Sequence, residues 1–339
     1  MKIAIHHNPG GFSDRWIDYC KKNHIDYKVV NAYDSDIIQQ VSDCDAFMWH
    51  FSHMLYKDAL FAKQLLFSLQ QAGKKVFPDF NTVWHFDDKV GQKYLLEAVG
   101  VPLVPSYVFY TKQEAFKWIE QTSFPKVFKL RGGAGASNVK LVRTKRAAVR
   151  LVKKAFGKGF PQYDAVENIQ ERWRKYRLGK TGFQDVIKGV IRFFHKPDFA
   201  KMHAPEKGYA YFQEFIPNNT TDYRVKVVCG NCWAFQRVVR NNDFRASGSG
   251  TLLFDNSQIP QEMVECAQKT AQKLNLQSVA FDFIHDKINN EFLIVEMSYG
   301  FGFDDNEMHN GYWDSKGRFH KELFNPFDWM VEGVVKGIV

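Results

Sequence analysis

From 1 to 104, short apolar runs alternate with stretches of helical period. KIAIHH, YKVVNA, DAFMWH and KKVFP have the length of strands, and amphipathic segments at 13–23, 34–41 and 57–72 separate them. Strands separated by helices predict a parallel, doubly wound sheet, because a parallel neighbour needs a crossover long enough to hold a helix. A helix over 88–99 stops at Gly100, and GVPLVPSYVF follows as an extended segment bounded by Pro102 and Pro105. That helix is read as the link to a second unit, with a helix at 112–122, a strand PKVFKL, a glycine-rich turn, a strand NVKLV and a helix at 145–156. A mixed sheet carrying helices is the expectation there. Beyond 209 come FQEFI, a hairpin, a helix at 260–274 and a final pair of apolar runs. The pattern divides the chain into an N-terminal α/β unit at 1–104, a central lobe at 105–208 and a C-terminal lobe at 209–339. The central lobe holds a basic helical insertion at about 157–207.

Composition narrows the class. The chain has 339 residues, 45% hydrophobic, enough for more than one packed core. No apolar run is long enough to span a bilayer, and the first residues carry no basic segment ahead of a long apolar one, so a cytoplasmic protein is expected. Five cysteines at scattered spacings do not form a disulfide framework. Cys229-Gly230-Asn231-Cys232 matches C-x-x-C, but it lies between the alternating runs RVKVV and WAFQRVV, so Gly230-Asn231 reads as a hairpin turn rather than zinc or redox chemistry. The net charge is +9, and 151–207 alone holds 13 Lys and Arg against 6 Asp and Glu, a surplus of +7. Nucleic acid, an anionic membrane surface or an acidic polymer would suit that stretch, as would plain solvation of a basic helix face.

Candidate chemistry gathers in four places. In AFDFIHDKINNEFLIVEMSYGFG, Asp282 and Glu296 sit in otherwise apolar runs on strands predicted to pair, which favours a Mg²⁺ site, with a structural salt bridge as the alternative. Lys129 ends a strand and opens Leu130-Arg131-Gly132-Gly133-Ala134-Gly135-Ala136-Ser137-Asn138, whose N–H groups could cradle phosphate oxygens or simply turn the chain. It has neither Walker nor dinucleotide spacing. Glu214-Phe215-Ile216 could receive a flat base with Asp222 near a ribose, or be an ordinary strand. Arg237, Arg240 and Arg245 cluster before a glycine-rich turn and suit bidentate contact with phosphate or carboxylate.

The succession Asp88-Lys89, GVPLVPSYVF, PKVFKLRGGAGASNV, QEFI, DYRVKVV, RNNDFRASGSG, AFDF and LIVEMSYGFG resembles the ATP-grasp superfamily of ATP-dependent ligases, and is most similar to the ribosomal-protein glutamate ligases. The likeness runs from 88 to 302, the basic insertion excepted. It implies an α/β (α+β) architecture, with an N-terminal parallel-sheet domain ahead of a two-lobed nucleotide-binding region. It implies that Lys89 and Lys129 contact ATP phosphates, that Gly133, Gly135, Ala136 and Ser137 fold over them, and that Glu214, Phe215 and Ile216 hold adenine. Asp222 is a weaker match for the ribose or phosphate end. Arg245, helped by Arg240, would neutralise the developing acyl phosphate. Asp282 and Glu296 would bind Mg²⁺, with Mn²⁺ able to substitute. Where the family commonly has asparagine this chain has Ser298, a weaker ligand, and Asp304, Asp305 and Glu307 are possible substitutes.

The activity so implied joins a carboxylate to an amine through an acyl phosphate, releasing ADP and phosphate. Its substrate would be a carboxylated sugar or cell-surface polysaccharide precursor with an amino acid or small amine, Trp173, Trp313 and Trp329 offering stacking faces. Two other readings stand beside it: an ATP-binding protein without ligation, and a basic nucleic-acid-binding protein. His6, His7, Asn8 and Gly10, after the first strand, are acceptor-pocket candidates or a simple turn. A homodimer is expected from ligases of this build.

Overall fold

The computed structural model describes residues 1–133, 138–161, 165–177, 179, 181–194, 204–240, 243–246 and 251–337. The first sheet is parallel, in the order β2-β1-β3-β4, from β1 (Lys2–His6), β2 (Asp26–Val30), β3 (Ala46–Met48) and β4 (Lys75–Phe77). The helices between them are α1 (Phe12–Lys22), α2 (Ile37–Gln40) and α3 (Tyr56–Gln71). Both faces are covered, as a parallel sheet requires. Leu66 and Leu69 of α3 pack on one side with Phe47 and Trp49, and Trp16 of α1 packs on the other with Phe77.

Short α4 (Phe80–Val83) and then α5 (Lys89–Ala98) leave this unit. Asp88 caps α5, its carboxylate accepting the Gly91 N–H at 2.9 Å. The second sheet, β5-β8-β6-β7, joins β5 (Ser106–Phe109), β6 (Lys126–Lys129), β7 (Val139–Val142) and β8 (Ala210–Glu214). Every pairing in it is antiparallel, where the sequence led us to expect a mixed sheet. β8, placed by the division at 208/209 with the C-terminal lobe, pairs instead between β5 and β6. The intervening segment returns the chain to the same sheet through α6 (Lys112–Gln121), α7 (Lys145–Ala155) and the helical hairpin α8 (Ala165–Arg177) and α9 (Phe183–Phe194).

The third sheet holds β9 (Thr221–Val228), β10 (Asn231–Val238), β11 (Leu252–Leu253), β12 (Ser278–Asp286), β13 (Glu291–Ser298), β14 (Tyr312–Trp313) and β15 (Phe319–His320), in the order β13-β12-β9-β10-β14-β15 with β11 beside β10. On β9, period two sends Val225 and Val227 to the face covered by Met263, Val264 and Ala267 of α10 (Gln261–Lys273). Asp222, Arg224 and Lys226 therefore share the opposite face. The β9–β10 turn is Cys229-Gly230, one residue earlier than the sequence reading: Asn231 already pairs with Val228, and both loop residues have positive φ, 49° and 85°. Burial raises both nearby thiols, that of Cys229 to about 12, which suits packing and not redox work. Helix α11 (Pro326–Lys336) lies against α1 and puts Phe327, Met330 and Val331 into the core of the first sheet.

Candidate functional site

Between the second and third sheets lies a cleft open to solvent. Its apolar walls include Val104, Val127, Val139, Ile216, Ile284 and Val295, and its polar groups come from both sheets. Alternation along β6 turns Val127 and Lys129 into the cleft while Phe128 enters the core under α6 and α7.

Lys129 is buried, and burial brings its ammonium down to about 8, with Lys89 lowering it further while Glu296 and Asp282 oppose the fall. Lys89, the first residue of α5, donates from Nζ to the Gly133 carbonyl at 2.6 Å and lies 3.7 Å from Glu296. Asp87, in left-handed backbone at φ 56°, accepts the Gly133 N–H at 2.7 Å. The glycine turn is thus tied at Gly133 from both sides. Gly135, Ala136 and Ser137, read as the rest of a phosphate loop, lie outside the described residues. Asp87 escaped the sequence reading, since an acid in front of Asp88-Lys89 has no distinguishing local pattern.

Asp282 and Glu296 stand opposite each other on β12 and β13, and a register shift follows Asp282. Glu296 faces the cleft with about a third of its side chain exposed. Asp282 is buried and bound by two arginines: Arg224 reaches both oxygens at 2.7 and 2.9 Å, and Arg237 reaches Oδ2 at 2.8 Å. Burial alone would raise the Asp282 carboxyl, but Arg224 and then Arg237 hold it well below the usual carboxylate range. The salt-bridge alternative therefore describes Asp282 in this structure. A carboxylate has about four lone-pair directions, and three are taken here, so Mg²⁺ fits only with Glu296 as its principal protein ligand. Mg²⁺ commonly takes one or two carboxylates plus phosphate oxygens and water, and the residues present meet that minimum. Ser298, which pairs with Ala280 on β12, is absent from the residues lining the cleft. Among the described residues no group of three or more His, Cys, Asp or Glu side chains could cage a metal by itself.

Asp222, read as a ribose contact, lines the cleft but gives both oxygens to Arg237, each at 2.7 Å. The cause is register: Asp222 and Arg237 are direct cross-strand partners. Burial raises the Asp222 carboxyl, against the pull of Arg237. Burial would lower Arg237, but Asp282 and Asp222 outweigh it and raise its basicity. Asn218 and Asn219, in the loop after β8, also border the cleft and were missed in the sequence.

Glu214, Phe215 and Ile216 all reach the cleft. Glu214 is held by Lys126 at 2.7 Å and by the Tyr107 hydroxyl at 3.1 Å. Phe215 meets Phe244 edge to face, 6.0 Å between ring centres. Arg245 borders the cleft from the other wall, paired with Asp243 at 2.8 Å. Arg240 is buried, and its N–H donates to the Arg245 carbonyl at 3.1 Å. It supports the turn and does not line the cleft.

The acceptor candidates fare differently. His6 is buried and accepts the Ala32 N–H, His7 meets Ser13, the Asn8 N–H donates to the same hydroxyl, and the Gly10 N–H donates to Asp14. His7, Asn8 and Gly10 build the β1–α1 turn, His6 ties β1 to the segment after β2, and none of the four lines this cleft. Of the three tryptophans considered as sugar platforms, Trp313 is buried, Trp329 stacks on Phe324 at 5.3 Å, and Trp173 is exposed. Glu307 is no spare metal ligand, because it is buried against Lys226, and Asp305 pairs with Arg15 at 2.9 Å.

Neither a protein-family model nor a curated protein matches the sequence. Solved structures do. A RimK domain protein ATP-grasp from Sphaerobacter thermophilus gives a TM-score of 0.57 at 14% identity, covering 99% of this chain and 100% of that one. D-alanine–D-alanine ligase from Bacillus anthracis, solved with ATP, gives 0.58 at 11% identity over 100% and 98% of the two chains. D-cycloserine synthetase DcsG gives 0.60 at 11% identity over the whole of both. At such low identities a likeness speaks for architecture and not for activity. A parallel sheet followed by two sheets that enclose one cleft is the architecture these proteins share, and the chain has the ATP-grasp fold.

Proposed function

We propose that the protein is an ATP-dependent ligase that forms an amide from a carboxylate and an amine. The observation that carries this reading is the convergence of Lys89, Lys129, Arg245 and Glu296 on one cleft whose other walls are apolar enough for a base. Val104, Val127, Ile284 and Val295 would sandwich adenine beside Glu214, Phe215 and Ile216. Lys89 and Lys129 would meet the phosphates, and Asn218 and Asn219 are better placed than Asp222 for the ribose. Glu296, with the remaining lone pair of Asp282, would hold Mg²⁺, which when bound supplies charge neutralisation at the phosphates.

A substrate carboxylate oxygen bonds to the γ-phosphorus as the bond to the β-phosphate bridge breaks, and ADP departs. The amine nitrogen then attacks the acyl carbon, the carbon–oxygen bond to phosphate breaks, phosphate leaves, and the nitrogen releases its proton to water. Lys89, Lys129 and Arg245 are fixed cations along that path, and preorganised charge is commonly the largest contribution to such chemistry. No side-chain nucleophile is required. The surplus of +7 at 151–207 supports an anionic substrate, so carboxylated sugars with amino acids or small amines as acceptors are the class to test first. ADP release across uronic acids, amino acids and peptides tests both levels: a flat response to uronic compounds removes the glycan class, and silence across every mixture removes the ligase. The arginine-bound Asp282 favours a second reading, nucleotide binding without ligation, which predicts ATP affinity with no ADP formed.

A further inference from the structure

The α8–α9 hairpin leaves much of its apolar surface exposed. Its two helices close on each other partly through polar and small groups: Arg172 and Ile169 lie across Gly189, where an added Cβ would come within 2.7 Å of the arginine stem, and the Arg172 guanidinium pairs with Asp185. Val186 is buried in the same seam. Other large apolar side chains stay exposed. Phe183, Ile187 and Ile191 follow one another at i, i+4 and i+8 and are 52%, 46% and 54% exposed. Trp173 and Tyr176 of α8 continue the strip ring to ring, 5.7 Å from each other and 5.4 Å from Tyr176 to Phe183. Exposed Arg177 and Lys188 flank it, inside the segment that carries the surplus of +7.

We infer that this hairpin docks on an anionic lipid surface, with its apolar strip at the boundary of headgroups and acyl chains and its cations on the headgroups. An amphipathic helix that shows bulky apolar residues on one face and lysine and arginine beside them has the composition of interfacial helices. The alternatives answer only half of it. A phosphate backbone would use the cations and leave Ile187 and Ile191 without a partner. A second copy of the chain would cover the aliphatic side chains but bring one surplus of positive charge against another. The inference is independent of the reaction in the cleft.

Sedimentation of the full chain with vesicles tests it. Binding to mixed phosphatidylcholine–phosphatidylglycerol vesicles is expected to exceed binding to pure phosphatidylcholine by about fivefold for each cation engaged, and to weaken as salt is raised. Ile187→Glu and Ile191→Glu should each lower it by about tenfold. These side chains are exposed, so the melting temperature should hold. Phe183→Ser at the other end of the strip is the substitute if either variant melts early, with the same loss expected. Equal binding to both lipids, or anionic binding that ignores all three substitutions, overturns the inference. So does failure to bind vesicles, whether the strip then proves to mediate a concentration-dependent dimer or salt-sensitive binding to duplex nucleic acid.

Discussion

Two lysines of this molecule have the same basicity and opposite circumstances. Lys129 and Lys226 are both buried, and burial brings each to about 8. Lys226 is fully occupied: its Nζ donates to Glu307 at 2.6 and 2.8 Å and to the Gly302 carbonyl at 2.8 Å, and the rings of Trp233, Phe235, Phe301 and Phe303 stand 5.1 to 5.6 Å away. The Trp233 N–H gives Glu307 another hydrogen bond at 2.6 Å. Lys129 instead looks into an open cleft, where Glu296 and Asp282 act on it through space. A depressed ammonium therefore does not by itself mark a site. What separates the two is whether the charge is answered by the protein or left facing a space that a ligand can enter.

The comparison breaks first at Lys226. Removing it as Lys226→Met leaves Glu307 charged, buried and without its principal partner, so denaturant unfolding should show a loss of about 3–5 kcal/mol. Pairing the change with Glu307→Leu should recover more than half of the loss, and a double variant as unstable as the single one would mean that the pair does not hold the loop. Lys129→Met should behave in the opposite way. ATP-dependent turnover, followed as ADP release, should fall by about 100- to 1000-fold in kcat/KM while the unfolding curve does not move to lower denaturant. A smaller loss is expected from Trp233→Phe, which removes one hydrogen bond to a buried carboxylate: about 1.5–3 kcal/mol of stability, with nucleotide affinity by calorimetry unchanged. The smallest effect is on pH dependence. Lys129 loses its charge as pH rises through about 8, so ATP affinity should be constant below that value and decline above it, by about tenfold for each pH unit well past it. A flat profile to the upper limit of folding would show that Lys129 is not a phosphate contact.

The same contrast explains what was legible in the sequence. Elements whose periodicity is local were readable almost to the residue: 57–72 against Tyr56–Gln71, 112–122 against Lys112–Gln121, 145–156 against Lys145–Ala155. The pairing of Asp282 with Glu296 was also visible, because the two runs are joined by a short turn. The partners that decide what those carboxylates do come from further away. Arg224 faces Asp282 through the register of β9 with β12, and Arg237 is brought up through the register of β9 with β10, which the positive φ values at Cys229 and Gly230 set one residue earlier than the sequence reading. Lys226 reads as one more cation in an alternating strand, and nothing local announces Glu307 as its answer. The turn at His7 to Gly10 was open to either reading until Ser13 and Asp14 were seen to hold it. Asp87 belongs with these, since its carboxylate meets Gly133 only once the second sheet is in place.

Helix α11 has a consequence for how the protein comes into being. It packs Phe327 and Met330 with Trp16 and Phe77, so the α1 side of the first sheet is completed only by residues Pro326–Lys336, far along the chain. Residues 1–104 made alone would leave the outer side of α1 without its cover. The unit's completion is postponed until that distant helix has been made.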